Sequence, residues 1–366
     1  MNDTFCNAPW ISLNVDSQGH FRPCCKYISP ISTSLYKYKH SNELQKLKND
    51  FKNGVKNKNC VVCHEDEIAS KTSQRQYINN LTTIKSKDIS YLDITFGNKC
   101  NLACIMCSSH SSSNWYQYDR RNSKILPNIQ VYKHNKFYKD GVFLKNITDI
   151  LSNNLIRVAI TGGEPFLADD KIHQDFLTQL LTYAPNVHLH YITNISVLPS
   201  NKILSLLAQF KLVEIQLSID GTNDVYNYIR WPGIWENIYP NIKQYQEYTT
   251  LYANFNLCIN YTVTIFNVLY IPEFTIWCLQ HNLSKPILSL VGKSDIFNIR
   301  TLPESIKKRI SIKFKGLFND IVLYMNKINY NRNETIKYIN ILDKQRNLDF
   351  KKTFPDLTEL LDYDNS

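Results

Sequence analysis

From about residue 91, the chain alternates short apolar runs with longer stretches in which apolar residues recur at helical spacing. Such runs fit strands, and the stretches between them fit amphipathic helices. The predicted strands are Tyr91–Phe96, Ile156–Thr161, Val187–Thr193, Val213–Ile219, Leu257–Ile265 and Pro286–Val291. The predicted helices are Ile172–Tyr183, Lys202–Phe210, Trp235–Tyr248 and Ile271–His281. This order predicts an α/β fold in which parallel strands, joined by helical crossovers, form an open or closed barrel.

A chain of 366 residues predicts one large domain with smaller additions. We place the barrel at 86–300, a small cysteine-bearing domain at 1–85 and a helical extension at 301–366. Lys and Arg exceed Asp and Glu by 42 to 32, which suits an acidic partner or an anionic substrate but also simply favours solubility. The start has no secretory pattern and no apolar run approaches the ~18 residues of a membrane span, so we expect a cytoplasmic protein without a membrane partner. In that reducing compartment, ten cysteines indicate metal or redox chemistry rather than disulfides.

Three of the cysteines are clustered directly after the first predicted strand, at Cys100, Cys104 and Cys107. A cubane iron–sulfur cluster that only carries electrons takes four ligands, so three thiols would leave one iron open for chemistry. A zinc site is the alternative, with His110 as its fourth ligand.

The second predicted strand ends in Gly162-Gly163-Glu164, which brings bare backbone and one carboxylate to its carboxyl end. In α/β barrels, that end of the strands carries the active site. Taken alone, the sequence also fits a simple turn before a helix.

Together these patterns resemble the radical S-adenosylmethionine (SAM) superfamily. The Cys-x3-Cys-x2-Cys loop and Gly162-Gly163-Glu164-Pro165 come in the family's order, and three later segments follow it: Ile192–Asn194, Ser218–Gly221 and Thr262–Asn267. The resemblance implies a partial (β/α)6 TIM-like barrel with a [4Fe–4S] cluster on Cys100, Cys104 and Cys107 and SAM bound to its open iron.

The resemblance also implies which residues contact SAM. The backbone of Gly162 and Gly163 and the carboxylate of Glu164 would hold its ammonium group. The other implied contacts are Asn194, Ser218 and Asp220 to the ribose and Arg230 to the carboxylate. An exposed structural role is the alternative for Arg230. Met106 departs from the family, which usually has an aromatic residue beside the adenine, although methionine also packs on a ring.

A second set of cysteines, Cys6, Cys24, Cys60 and Cys63, lies in the first 65 residues around a predicted hairpin that begins at Ile11. Their spacing fits either zinc or a second cluster. The pattern resembles the twitch domain, a half-size SPASM domain that holds an auxiliary [4Fe–4S] cluster, although twitch usually follows the barrel. The glycine spacing favours Cys24 over its neighbour Cys25 as the ligand.

These observations predict a radical SAM enzyme that cleaves SAM reductively to a 5′-deoxyadenosyl radical and abstracts hydrogen from a substrate, with a peptide favoured. We expect a reducing partner such as flavodoxin or ferredoxin. The alternative is a non-catalytic iron–sulfur or zinc protein that binds nucleic acid through its basic surface. His188 and His190 share one face of a strand, either against substrate or on one side of a half-buried sheet.

Overall fold

The computed structural model describes residues 4–68, 72–81, 88–124, 129–134, 147–152, 154–291, 296–327 and 333–360. The predicted domain boundary at residue 85 lies outside these ranges. The strands are β1 Ser12–Val15, β2 Phe21–Arg22, β3 Tyr91–Thr95, β4 Arg157–Thr161, β5 His188–Thr193, β6 Leu212–Ser218, β7 Phe255–Val263 and β8 Ile287–Leu290. They form one sheet in the order β2-β1-β3-β4-β5-β6-β7-β8.

The six predicted strands are confirmed as β3 to β8 and follow one another in chain order across the sheet. The pairs β3–β4, β4–β5 and β7–β8 are parallel, as the helical crossovers require. The amino-terminal hairpin is confirmed as the antiparallel pair β1–β2. In addition, β1 pairs in parallel with β3, so the hairpin extends this sheet.

Strands β1, β3, β4 and β5 have one apolar and one polar face. The apolar face is 0% exposed at every one of Leu13, Val15, Leu92, Ile94, Val158, Ile160, Leu189 and Tyr191. Because side chains alternate along a strand, the intervening residues share the opposite side, which we call the polar face. Its cross-strand rows are Ser12–Tyr91–Arg157–His188 and Asn14–Asp93–Ala159–His190.

The four predicted crossover helices are confirmed, and side-chain caps fix several starts. Asp169 accepts a hydrogen bond from the Ile172 N–H, and Ser200 accepts one from the Ile203 N–H. The helices are Ala8–Ile11, Leu35–Lys39, Asn42–Lys52, Val61–Ile68, Gln74–Asn80, Tyr116–Asn122, Asp170–Tyr183, Asn201–Leu207, Asn223–Ile229, Trp235–Leu251, Ile271–Gln280, Glu304–Phe314, Asn319–Met325, Asn333–Arg346 and Phe350–Thr353. The last four confirm the helical carboxyl-terminal region.

The chain divides into two compact units. The first unit comprises Met1–Ala103, Cys107–Gln216 and Asn241–Leu257, and the second comprises Cys104–Met106, Leu217–Pro240 and Cys258–Ser366. Within the described residues, no helix is both long enough and apolar enough to cross a bilayer.

Candidate functional site

The cysteine loop after β3 is tied down by hydrogen bonds within the first unit. The Cys100 N–H donates to Ser113 Oγ at 3.2 Å. The Cys100 sulfur accepts from the Leu102 N–H and from Asn194 Nδ2, each at 3.5 Å. N–H donors of this kind stabilise the thiolate form that binds metal. Asn194, which ends β5, therefore lies against a predicted cluster ligand.

The Gly162-Gly163 turn touches the cysteine loop so closely that it excludes side chains. Gly162 and Gly163 have φ angles of +71° and +52°. A β-carbon on Gly162 would lie 2.4 Å from Thr95 Cγ2, and one on Gly163 would lie 2.4 Å from the Lys99 carbonyl oxygen. That oxygen accepts the Glu164 N–H at 2.8 Å. The glycines thus join the end of β4 to the start of the cysteine loop.

The Glu164 side chain is 2% exposed and accepts hydrogen bonds on both oxygens. Oε1 accepts from the Thr193 hydroxyl at 2.9 Å and from the Phe166 N–H at 3.2 Å, and Oε2 accepts from the Asn194 N–H at 2.7 Å. The side chain links the ends of β4 and β5 and is held in a fixed position by these bonds.

In the second unit, Arg230 is 6% exposed and Asp220 is 0% exposed, so Arg230 is a buried arginine and not an exposed one. Asp220 Oδ2 accepts from Arg230 Nε at 2.7 Å and lies 2.6 Å from Nη2. The third guanidinium nitrogen, Nη1, lies 3.9 Å from the Cys104 sulfur. Burial raises the pKa of the Cys104 thiol, and the Arg230 charge opposes that rise. Ser218, at the end of β6, is buried in the same unit, where Met106 is half-buried.

His110 is the fourth ligand of the zinc alternative, and each of its ring nitrogens lies near an oxygen of another side chain. Its Nε2 lies 3.7 Å from an Asp16 carboxylate oxygen, and its Nδ1 lies 3.3 Å from Ser111 Oγ. Asp16 is 5% exposed and also binds Arg22 at 2.6 Å. These contacts favour a structural role for His110 on the loop after Cys107.

The four amino-terminal cysteines meet in the first unit. Cys6, Cys24, Cys60 and Cys63 all line one cavity. Its walls otherwise include apolar side chains such as Leu47. The structure brings together the four thiols that the sequence analysis grouped, although they are up to 57 residues apart along the chain (63 − 6).

Backbone N–H groups point at three of these sulfurs. The Ala8 N–H donates to Cys6 Sγ at 3.5 Å. The Lys26 and Arg75 N–H groups hydrogen-bond to Cys24 and Cys63, respectively. Burial nevertheless raises the pKa of Cys6 to about 12, and that of Cys60 to about 12 as well.

Arg75 lines the cavity and connects two of its walls. Its guanidinium pairs with Glu67 at 2.6 Å and donates to the Phe5 carbonyl at 3.0 Å. Glu67 lies on the helix that carries Cys63, and Phe5 precedes Cys6. Arg75 thus connects the chain segments that position two of the thiols.

Cys24 and Cys25 point in different directions. Cys24 lines the cavity, whereas the Cys25 thiol hydrogen-bonds the Asp93 carboxylate on the polar face. Asp93 is 4% exposed, and burial raises the pKa of its carboxyl group although the bond from Cys25 opposes this. The spacing argument that favoured Cys24 agrees with this arrangement.

Sequence reasoning missed the partners of the two β5 histidines. On the polar face, His190 contacts Gln216 of β6. Arg157 of β4 contacts both His188 of β5 and Glu214 of β6. The available signal was the alternation of polar and apolar residues along β6, at Glu214, Gln216 and Ser218. This alternation identifies partners for His188 and His190 only when the neighbours of β5 in the sheet are known.

One family profile and several solved structures are similar to this chain. A profile described as the radical SAM superfamily matches residues 94–264. No curated protein matches the chain.

The solved structure "Native anSMEcpe with bound AdoMet" is 16% identical with a TM-score of 0.46, and the match covers 69% of this chain and 66% of that one. Streptococcus suis SuiB bound to precursor peptide SuiA is 16% identical with a TM-score of 0.38, covering 88% of this chain and 67% of that one. TYW1 with a lysine-pyruvate adduct is 14% identical with a TM-score of 0.36, covering 62% and 74%, respectively.

Proposed function

We propose that this protein, whose residues 94–264 match the radical SAM superfamily profile, uses a [4Fe–4S] cluster on Cys100, Cys104 and Cys107 to cleave SAM and abstract hydrogen from a substrate. When bound and reduced, such a cluster and SAM together supply a 5′-deoxyadenosyl radical. The observation that carries the proposal is the contact between the glycine turn and the cysteine loop, in which Lys99 accepts the Glu164 N–H at 2.8 Å.

The chain's own residues orient the bound groups. The N–H donors on Cys100 favour its thiolate form, and Arg230 places positive charge 3.9 Å from the Cys104 sulfur. Positive charge and hydrogen bonds at sulfur raise the potential of a cluster. Glu164, fixed by its three donors, is the proposed contact of the SAM ammonium group, and Asn194, Ser218 and Asp220 are the proposed ribose contacts.

We further propose that Cys6, Cys24, Cys60 and Cys63 hold an auxiliary [4Fe–4S] cluster in a twitch-like segment. The position of all four sulfurs around one cavity of the first unit supports a shared centre. Four cysteine ligands would also leave no iron open, so this cluster would exchange electrons instead of binding substrate.

The proposed substrate class is a peptide, on the resemblance of the cysteine pattern to enzymes with auxiliary domains. The proposed electron donor is an acidic flavodoxin or ferredoxin, for which the formal charge of +10 is suitable. The reaction takes place in the reducing cytoplasm in this proposal.

SAM cleavage tests the main proposal. The anaerobically reconstituted, dithionite-reduced protein should form 5′-deoxyadenosine, measured by mass spectrometry, and the triple variant Cys100→Ala/Cys104→Ala/Cys107→Ala should form none. A wild-type protein that holds its iron but forms no 5′-deoxyadenosine would contradict it and favour the non-catalytic alternative.

Two adjacent cysteines provide a matched test of the auxiliary cluster. Wild-type protein should bind about eight irons per chain, Cys24→Ser about four, and Cys25→Ser about eight. Both variants change one sulfur to oxygen in the same turn, so a general folding defect would affect both. Stoichiometric zinc with four irons in the wild type, or equal iron loss in the two variants, would contradict the proposed ligand set.

A further inference from the structure

Arg346 ends the helix Asn333–Arg346 of the carboxyl-terminal region and is 6% exposed, so this region carries a buried positive charge. Its guanidinium carbon lies over the Trp231 ring, 5.2 Å from the ring centroid. Trp231 directly follows Arg230, the arginine beside the Cys104 sulfur. Within the second unit, the fold therefore brings a second guanidinium to the segment that faces a proposed cluster ligand.

The middle of the cysteine loop is attached to the same segment through the backbone. The Ile105 N–H, next to Cys104, donates to the Ile229 carbonyl oxygen at 2.8 Å. Ile229 ends the helix Asn223–Ile229 and directly precedes Arg230. The Cys104 segment is therefore fixed to the chain segment that Arg346 contacts.

A carboxylate and a group of aromatic rings hold the carboxyl-terminal region in this place. Asp343 Oδ1 accepts a hydrogen bond from the Tyr228 hydroxyl, and Oδ2 accepts one from the Phe350 N–H, each at 2.8 Å. The Tyr228 ring is 1% exposed, and its centroid lies 6.3 Å from that of Phe350 and 4.9 Å from that of Phe354. Because Asp343 lies about one helical turn before Arg346, these contacts also fix the position of the guanidinium.

Charged side chains of the second unit act on Cys104 in opposite senses. Burial raises the pKa of the Cys104 thiol, the charges of Arg230 and Arg346 oppose that rise, and the Asp220 charge adds to it. Asp220 pairs with Arg230 at 2.6 Å and so balances much of that arginine's charge. Arg346 supplies positive charge beyond this pair, and Asp343 is an acidic group on its own helix. Replacing Arg346 with a neutral residue removes one unit of positive charge and leaves both carboxylates in place.

We propose that Arg346 is a positioning residue for the SAM-binding cluster: stacked on Trp231, it places positive charge on the Cys104 side and makes the cluster easier to reduce. The inference rests on the proposed function. In the step concerned, one electron passes from the reductant to the cluster and converts [4Fe–4S]²⁺ into [4Fe–4S]⁺. No bond forms or breaks and no proton moves. Because reduction adds negative charge, a nearby positive charge stabilises the reduced form and raises the potential.

A redox titration followed by electron paramagnetic resonance tests the effect of this charge. The holoprotein is poised anaerobically at the midpoint potential of the wild-type SAM-binding cluster, whose signal is identified as the one that changes when SAM is added. In Arg346→Gln, the ratio of reduced to oxidised cluster at that potential should fall at least about threefold, as expected for the loss of a partly screened unit charge. In Arg346→Lys, which keeps the charge, the ratio should stay within about 1.5-fold of wild type. The ratio describes only the clusters that are bound, so a partial loss of iron does not change it.

Tyr228→Phe is the control for a loosened carboxyl-terminal region. It removes the hydrogen bond to Asp343 but no charge, so it should lower the melting temperature and leave the ratio within about 1.5-fold of wild type. An unchanged ratio in Arg346→Gln, or an equal fall in Arg346→Lys or in Tyr228→Phe, overturns the inference. If wild type forms 5′-deoxyadenosine while the ratios fail this test, only the role of Arg346 is wrong; if no 5′-deoxyadenosine forms, the proposed function itself is wrong.

Discussion

Replacing Gly163 with alanine tests the contact between the glycine turn and the cysteine loop. The residue has a φ of +52°, and its new β-carbon would lie 2.4 Å from the Lys99 carbonyl oxygen. A left-handed conformation costs an alanine about 1–2 kcal/mol. Displacing a backbone atom in a packed site adds about 1–3 kcal/mol. We therefore expect Gly163→Ala to lower the free energy of unfolding by about 2–5 kcal/mol.

Gly316→Ala separates the two contributions. Gly316 also has a left-handed φ, of +84°, but a β-carbon there would meet nothing within 4 Å. This variant should lose only the conformational cost of about 1–2 kcal/mol. The difference between the variants, about 1–3 kcal/mol, measures the close approach to Lys99.

Thermal melting of the holoprotein by circular dichroism is a suitable assay. At about 2 °C for each kcal/mol, Gly163→Ala should melt about 4–10 °C below wild type and Gly316→Ala about 2–4 °C below it. Iron bound per chain should fall only in Gly163→Ala, because Lys99 precedes Cys100. Equal melting shifts in the two variants, with unchanged iron in both, would refute the reasoning.

Three further substitutions probe buried polar groups. Burial lowers the pKa of His173 to about 3, so the unfolded chain takes up a proton below pH 6.5 that the folded chain does not; stability should fall by about 2 kcal/mol from pH 6.5 to pH 5. In urea unfolding at the two pH values, the free energy of unfolding should depend less on pH in His173→Gln than in wild type. An equal pH dependence would count against the lowered pKa of His173. Asp220→Asn should cost about 3–5 kcal/mol, because it removes the counter-charge of buried Arg230, and a melting temperature equal to wild type would contradict this. Thr193→Val should cost about 1–2 kcal/mol, since Glu164 loses one of its donors, and Thr193→Ser should recover most of it.

The parallel strands and their crossover helices could be predicted from the sequence because each depends on a local pattern. Val158 and Ile160 occupy alternate positions of a short apolar run, and both are 0% exposed. The addition of β1 to the same sheet could not be predicted in this way. Leu13 and Val15 alternate as in any half-buried strand, and which strand they join depends on residues about 80 positions away.

Within the site, the spacing of the cysteines along the chain grouped the proposed ligands, but it did not identify the side chains that contact the site residues. Cys6 and Cys63 could be assigned to one proposed centre because their spacing, with Cys24 and Cys60 between them, resembles the twitch pattern. Whether Cys24 or Cys25 faces that centre depends on the backbone conformation of one turn, which no local sequence pattern specifies. The Glu214 carboxylate beside His190 requires the register between β5 and β6, which no local pattern contains.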